Sequence, residues 1–150
     1  MFGIGGEKDE ALAARLYRLA ADQGNAGSLY NLGKCYMIGR GVDRNEASAA
    51  RLYSMAADQG NAKAQYSLGM CYLYGAGVAK DEARAMELFE EASNQGYAAA
   101  QCIMGDWYQM RAKKLYLIAA KQGDALAQYK LEETDVSSSE ESEEEEEYEA

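Results

Sequence analysis

Apolar and polar residues follow one another along this chain with the spacing of amphipathic helices, and the whole pattern repeats every 36 residues. Ala64, Leu68 and Tyr72 lie at i, i+4 and i+8, so they share one helix face. The stretch ARLYRLAADQGNAGSLYNLGKCY returns as ARLYSMAADQGNAKAQYSLGMCY, with its leucines, glycines and tyrosines in register. A period of this length is typical of stacked helical hairpins, in which each unit buries its apolar face against its neighbours. The pattern therefore predicts an all-α solenoid, whose extended surface suits protein binding.

Each period predicts two helices with their own start and stop signals. The first helix begins after a glycine that ends the helix before it, at a capping residue: Asn25, Asn61 or Asp124. Tyr97 stands at this position in the third copy and cannot cap in the same way. The second helix begins at a capping residue followed by a glutamate: Asp9, Asn45 or Asp81. The glycine loops between them follow a helix and lack a G-K-[ST] continuation, which indicates tight turns rather than phosphate sites.

A glycine recurs in the middle of the first helix of each repeat, at Gly33, Gly69 and Gly105. Glycine costs about 1 kcal/mol relative to alanine inside a helix, so its recurrence predicts close approach of a neighbouring helix. Recurring aromatic residues are expected to lie in the core. They are Tyr36, Tyr53, Tyr72, Phe89, Tyr108 and Tyr116.

The third copy is nine residues shorter than the others. Its first helix matches the previous copy at an offset of 36, whereas Leu115 and Tyr116 match Leu88 and Phe89 at an offset of 27. No turn signal remains and the apolar stripe keeps its phase, so one continuous helix is predicted from about Ala98 to Gln122. The alternative is a tight turn at Gln109-Met110. A fused helix, together with a first helix that lacks its usual partner, favours self-association.

Composition narrows the chemistry that this chain can perform. It contains no histidine, and its three cysteines form no CxxC pair. Histidine is the commonest general base and metal ligand, so we expect no enzymatic activity, no metal and no cofactor. The cysteines are expected to be buried or half-buried thiols. The N-terminus is not a signal peptide and no apolar run has membrane-spanning length, so we expect an intracellular, cytoplasmic protein without membrane insertion.

Charge is concentrated at the C-terminus. Residues 132–150 contain 11 acidic residues and no basic ones, whereas residues 1–131 contain 14 acidic and 15 basic residues. We therefore expect a helical repeat domain over 1–131 and a disordered acidic tail over 132–150. No basic stripe is present, which argues against a nucleic-acid partner. Three serines with a glutamate at i+3 are candidate phosphorylation sites for acidophilic kinases: Ser137, Ser138 and Ser142.

The pattern L-G-x-C-Y-x-x-G-x-G-V, followed by an aromatic residue and A-A-x-Q-G, resembles the Sel-1-like repeat family over roughly residues 3–131. These are tetratricopeptide-like helical hairpins. The resemblance implies a right-handed superhelix of antiparallel helix pairs and a role as scaffold or adaptor in multiprotein complexes. It also implies that the first helix of each repeat lines the concave side.

Removing the core positions from that helix face leaves a candidate protein-binding groove. Its residues are Tyr30, Asn31, Lys34, Met37, Tyr66, Ser67, Met70, Tyr74, Ile103 and Asp106. Aromatic and methionine side chains in a groove suit peptide or helix binding. The alternative is that Tyr30 and Tyr66 pack between neighbouring hairpins. We predict non-catalytic binding of protein or peptide partners through this groove. The alternative function is that of an acidic-tail chaperone or buffer for basic proteins.

Overall fold

The computed structural model of the protein describes residues 4–135, with side chains from residue 6 onward, and these residues form seven helices without a strand. The all-α prediction is confirmed. The helices are α1 (Ile4–Asp22), α2 (Ala26–Ile38), α3 (Glu46–Asp58), α4 (Ala62–Tyr74), α5 (Glu82–Asn94), α6 (Ala98–Lys121) and α7 (residues 125–135).

The chain divides into two compact units, residues 1–104 and 105–150. In the first unit each helix from α1 to α5 packs against the next, as in a series of antiparallel hairpins. One cluster of buried side chains joins α2, α3 and α4 through residues such as Leu29, Leu52 and Leu68. A second cluster joins α5 to the start of α6 through Phe89 and Met104.

The second unit contains the rest of α6 and α7. Asp124 caps α7, because its Oδ1 accepts a hydrogen bond from the Ala127 N–H at 2.8 Å. Ala127 is buried in this unit, and Lys113 of α6 bonds to Asp135 at the end of α7.

Side-chain caps stand where the sequence predicted them, with one exception. Asn61 Oδ1 accepts from the Ala64 N–H at 2.9 Å, and the same contact forms at Asn25, Asn45 and Asp81. The predicted start at Asp9 is wrong, since α1 begins at Ile4 and Asp9 lies inside it.

The glycine loops that precede Asn45 and Asp81 contact an earlier repeat. Gly41 and Gly77 have positive φ, and a Cβ at either position would meet the backbone of Glu10 or Glu46, in the helix one repeat earlier. The glycine loop is therefore shaped by an earlier helix. In the first copy Gly5, the sequence equivalent of Gly41, lies inside α1, so no loop of this kind precedes Asp9.

Two of the three recurring helix glycines lie under an aromatic ring. A Cβ at Gly33 would stand 2.7 Å from Tyr53 Cε1, and a Cβ at Gly69 would stand 2.7 Å from Phe89 Cε1. Both approaches confirm the predicted packing. The prediction is wrong for Gly105, where a Cβ would meet nothing within 4 Å.

The shortened third copy forms one continuous helix, as predicted. Helix α6 runs from Ala98 to Lys121 without a turn at Gln109-Met110. Since the loop is missing, α6 does not turn back to cover its own first half. Tyr108 is therefore 54% exposed, and its predicted core position is wrong. Tyr36 and Tyr72, at the same repeat position, are half-buried, and Tyr116 is half-buried as well.

Helix α1 also exposes residues whose equivalents in the later repeats are buried. Leu16 is 57% exposed, whereas its equivalents Leu52 and Leu88 are buried in the first core cluster. Self-association through this face stays a prediction.

Helix α7 continues through residues 132–135, the first four residues of the predicted tail. Lys130 pairs with Glu133 one turn later, and the Thr134 hydroxyl donates to the Leu131 carbonyl, so the first acidic residues extend the helix. The remaining tail, with Ser137, Ser138 and Ser142, lies outside the described residues.

Candidate functional site

The first unit contains a cleft of about 430 Å³ that we call the α2–α4 cleft. It lies where α2 and α4 begin and where the chain turns into α6. Its polar and aromatic lining consists of Tyr30, Asn31, Asn61, Lys63, Gln95 and Tyr97. Three successive repeats therefore contribute to one surface depression.

Tyr97 connects this cleft to the core. Its ring meets the Tyr66 ring edge-on, with centroids 5.3 Å apart, and Tyr66 in turn contacts Phe89 at 5.6 Å. Burial raises the pKa of Tyr97, and the nearby phenols of Tyr30 and Tyr66 raise it further. The Tyr97 hydroxyl therefore stays protonated at neutral pH and is available as a hydrogen-bond donor.

A chain of side-chain hydrogen bonds positions Gln95. Gln65 is buried and donates from Nε2 to Glu91 Oε2 at 3.0 Å, while Gln95 Nε2 donates to Gln65 Oε1 at 2.6 Å. Since a carboxylate only accepts, the direction of both bonds is fixed. The Gln95 amide oxygen can therefore accept a further hydrogen bond.

Five of the predicted groove residues pack against the core clusters. They are Tyr30, Met37, Tyr66, Met70 and Ile103, all partly buried. Tyr30 lies 5.8 Å from the Tyr53 ring, between centroids. These side chains fill the space between neighbouring hairpins, and Tyr30 additionally borders the α2–α4 cleft.

The other predicted groove residues differ in exposure, and two of them, Asn31 and Lys34, also line a second cleft described below. Asn31 is half-buried and lines the α2–α4 cleft, while Lys34 is exposed with its Nζ 5.8 Å from the Tyr30 ring centroid. Ser67 is half-buried, and Tyr74 is 72% exposed at the end of α4. Asp106 is exposed and belongs to the second unit.

A second depression of about 380 Å³ lies between α1 and α2, and we call it the α1–α2 cleft. Its lining carries both charges, and Arg40 Nε pairs with Glu10 Oε1 at 3.1 Å on its wall. Cys35 also lines it, but burial raises the pKa of this thiol. A thiol that stays protonated is a poor nucleophile, so the α1–α2 cleft offers polar contacts rather than covalent chemistry.

Sequence reasoning missed most of the α2–α4 cleft. The sequence pattern predicts Asn61 only as a helix cap and does not point to Lys63, Gln95 or Tyr97 as binding residues. The one available signal was Tyr97, an aromatic residue at a position where the other repeats place a cap.

None of the helices in the described part of the chain combines the length and apolar character that a membrane crossing requires. Within residues 4–135, no three potential metal ligands of the His, Cys, Asp or Glu type lie close enough together to hold an ion.

The Sel1 repeat pattern matches residues 1–25, 26–61, 62–97 and 109–124. These matches cover most of the sequence, so the chain belongs to the Sel1 repeat family. Proteins of this family are generally non-catalytic scaffolds for protein interactions. The gap between the third and fourth matches, residues 98–108, is the first part of α6.

Solved structures of similar proteins share this fold. The protective antigen c5321 of uropathogenic Escherichia coli, which displays an SLR fold, is 30% identical with a TM-score of 0.65 over 81% of this chain. A Sel1 repeat protein from Oxalobacter formigenes is 32% identical with a TM-score of 0.64 over 81%. Cysteine-rich protein B of Helicobacter pylori is 28% identical with a TM-score of 0.58 over 60%.

The matched part accounts for 28% of the Escherichia coli chain, 52% of the Oxalobacter chain and 68% of the Helicobacter chain. The chain thus spans at most about half the length of the first two. No curated protein matches it significantly by sequence.

Proposed function

We propose that this chain is a binding scaffold that holds an extended peptide segment of a partner protein in the α2–α4 cleft. The observation that carries this proposal is the lining itself. Two tyrosines, three side-chain amides and one lysine from three repeats converge on one depression in a family of interaction scaffolds. Tyrosine supplies large contact area at low entropic cost, and side-chain amides bond to peptide backbone.

The lining also favours a class of peptide. Tyr97 and Tyr30 offer ring surface to an apolar or aromatic side chain, and the Gln95 oxygen accepts from a backbone N–H. Lys63 is exposed at the rim, where its ammonium group suits a carboxylate. We therefore expect selection of short segments that combine an apolar residue with an acidic one.

Tyr97→Asn is the sharpest test of this proposal. The substitution removes the ring from the cleft and installs the cap that Asn25 and Asn61 provide in the other repeats, so the fold is retained. Selection from a displayed peptide library, followed by calorimetric titration of the best binder, is expected to give binding to the wild type and at least tenfold weaker binding to Tyr97→Asn.

Tyr129→Asn provides the matched control, since Tyr129 is exposed on α7 in the second unit. Equal affinity of the wild type and Tyr97→Asn would refute binding in the α2–α4 cleft. Charged substitutions of Tyr66 or Met70 are less informative, because both contact the Phe89 cluster and would test packing instead.

The acidic tail supports a second candidate function, the buffering or chaperoning of basic proteins. The observation that supports this function is that residues 132–150 contain 11 acidic residues and no basic residue. Truncation after Asp135 separates the two candidates, because it removes most of this charge and leaves the helices complete. Basic-protein binding lost on truncation, with peptide binding unchanged, assigns the two activities to separate parts of the chain. Undiminished basic-protein binding would exclude the tail function.

A further inference from the structure

No aromatic ring covers Gly105, and the residue that would be expected to supply the ring lies on the same helix. In the two complete hairpins an aromatic ring of the following helix covers the glycine, Tyr53 over Gly33 and Phe89 over Gly69. The sequence equivalent of Phe89 in the shortened copy is Tyr116. The third copy therefore retains both halves of the contact.

The continuous helix keeps these halves apart within one chain. Eleven residues separate Gly105 from Tyr116 in α6, which corresponds to about 16 Å along a rigid helix. Eleven residues also correspond to about three full turns, so both residues lie on nearly the same face of α6. A ring on that face can reach a glycine only on another helix.

We propose that the missing contact is made by a second copy of this chain, in a dimer that pairs two α6 helices antiparallel. In this arrangement each Gly105 receives the Tyr116 ring of the other copy. The two contacts form together because a two-fold axis near Met110-Arg111 lies midway between Gly105 and Tyr116. The interface is self-complementary, as a closed dimer requires.

The residues between these two positions suit a buried helix pair. Tyr108, Ala112 and Leu115 lie on the same side of α6 as Gly105 and Tyr116, by helical periodicity. Tyr108 is 54% exposed and Leu115 is 58% exposed in the single chain. The antiparallel dimer covers this exposed apolar stripe.

Charge favours the antiparallel orientation over the parallel one. Asp106 and Lys113 are two turns apart on the same flank of the stripe. Antiparallel pairing brings Asp106 of one copy near Lys113 of the other, twice. Lys113 also bonds to Asp135, and an ammonium group has further N–H donors for a second carboxylate. Parallel pairing would place Asp106 and Lys113 of the two copies on opposite flanks of the pair and leave both glycines without a ring.

The dimer is expected to be reversible, because a single helix pair of this length lies at the low end of interface sizes. Sedimentation analysis of the full chain should show a monomer–dimer equilibrium with a dissociation constant on the order of micromolar. A monomer at millimolar concentration would overturn the proposal.

Gly105→Leu tests the glycine directly. In the single chain a Cβ at this position would meet nothing within 4 Å, and leucine favours a helix more than glycine does, so we expect the variant to fold. We expect its dimer to weaken at least tenfold, and Tyr116→Ala to weaken it similarly. Met110→Ala is the control, because Met110 is 72% exposed but lies outside the stripe. A dimer unchanged by Gly105→Leu, or equally weakened by Met110→Ala, would contradict the proposed contact.

The native Cys102 reports the orientation. It is exposed, whereas Cys35 and Cys71 are buried, so a nitroxide label can be placed on it selectively. Antiparallel pairing about Met110-Arg111 places the two Cys102 backbones about 25 Å apart along the helix axes, and parallel pairing places them about 10 Å apart. If double electron–electron resonance gives a distance near 10 Å between the two nitroxide labels, the antiparallel dimer is overturned.

Discussion

The ring of Phe89 occupies the space that a side chain at position 69 would need, since a Cβ on Gly69 would stand 2.7 Å from Phe89 Cε1. Phe89 is fully buried, so neither the ring nor the helix that carries it can easily move away. Glycine lowers the helix propensity of α4 but is required at this position, because only a residue without a Cβ lets α4 and α5 pack this closely.

Gly69→Ala and Gly105→Ala should have opposite effects on stability. Overpacking at Gly69 is expected to cost about 1–3 kcal/mol, which exceeds the gain in helix propensity of about 1 kcal/mol. Gly105 is open, so alanine there should stabilise the monomer by up to about 1 kcal/mol. Urea unfolding at a dilution where the chain is monomeric measures both. Destabilisation of equal size in the two variants would show that Gly105 is also packed.

The loop glycines offer a second matched pair. Gly77→Ala places a Cβ against the backbone of Glu46 at a positive φ, whereas Gly60→Ala meets only open space at φ 82°. We expect about 1–2 kcal/mol of destabilisation from backbone strain at Gly60 and a clearly larger loss at Gly77. Thermal unfolding followed by circular dichroism gives the comparison. Equal losses would mean that the loop can move away from α3.

The three cysteines should react at very different rates. Cys102 is exposed, whereas burial raises the pKa of Cys35 and raises that of Cys71 to about 11. Because the thiolate is the reactive form, one thiol per chain should react quickly with a disulfide reagent at pH 8, and Cys102→Ser should remove that phase. Fast labelling of two or three thiols in the folded protein would contradict the buried positions of Cys35 and Cys71.

The same pKa shift gives a dependence of stability on pH. Burial raises the folded pKa of Cys71 to about 11, above the ordinary value of a thiol, so folding favours the protonated thiol. Its contribution is complete below about pH 9 and is lost as the pH rises towards 11. Cys71→Ala should reduce this part of the alkaline loss, as measured by urea unfolding at a series of pH values. An unchanged alkaline profile in the variant would contradict the assignment to Cys71.

The first acidic residues of the tail should contribute little to stability. Truncation after Leu131 removes the Lys113–Asp135 ion pair and the last turn of α7, both exposed to solvent. Exposed ion pairs contribute little, so the melting temperature should fall by only a few degrees relative to truncation after Asp135. A larger fall would show that residues 132–135 help to hold the second unit together.

Local signals in the sequence predicted most of the fold. A cap such as Asn61 depends on neighbours within a few residues, and its return every 36 residues marked the start of successive repeats; both are present as expected. The fused helix α6 followed from the absence of a turn signal. Asp9 and Gly105 failed for a common reason, because the role predicted for each depends on a contact with another helix and not only on its own segment.

The candidate site was less accessible to sequence reasoning. The predicted stripe along the first helices contained Tyr66 and Met70, which the structure places against the Phe89 cluster. The α2–α4 cleft forms where the ends of several helices meet, so its lining does not share one helical period. Gln95 enters the cleft through its bond to Gln65, thirty residues away in sequence, and no local pattern indicates that contact.

Mapping of a selected peptide onto the folded protein by amide chemical shifts tests the proposed binding site most directly. Titration of the labelled protein with the tightest binder should shift the backbone resonances of Asn61, Lys63, Gln95 and Tyr97, with little change at residues that line only the α1–α2 cleft. The same titration of Tyr97→Asn should leave these resonances almost unmoved. Shifts centred on Glu10 and Arg40, or on α7, would place binding elsewhere and contradict the role of the α2–α4 cleft.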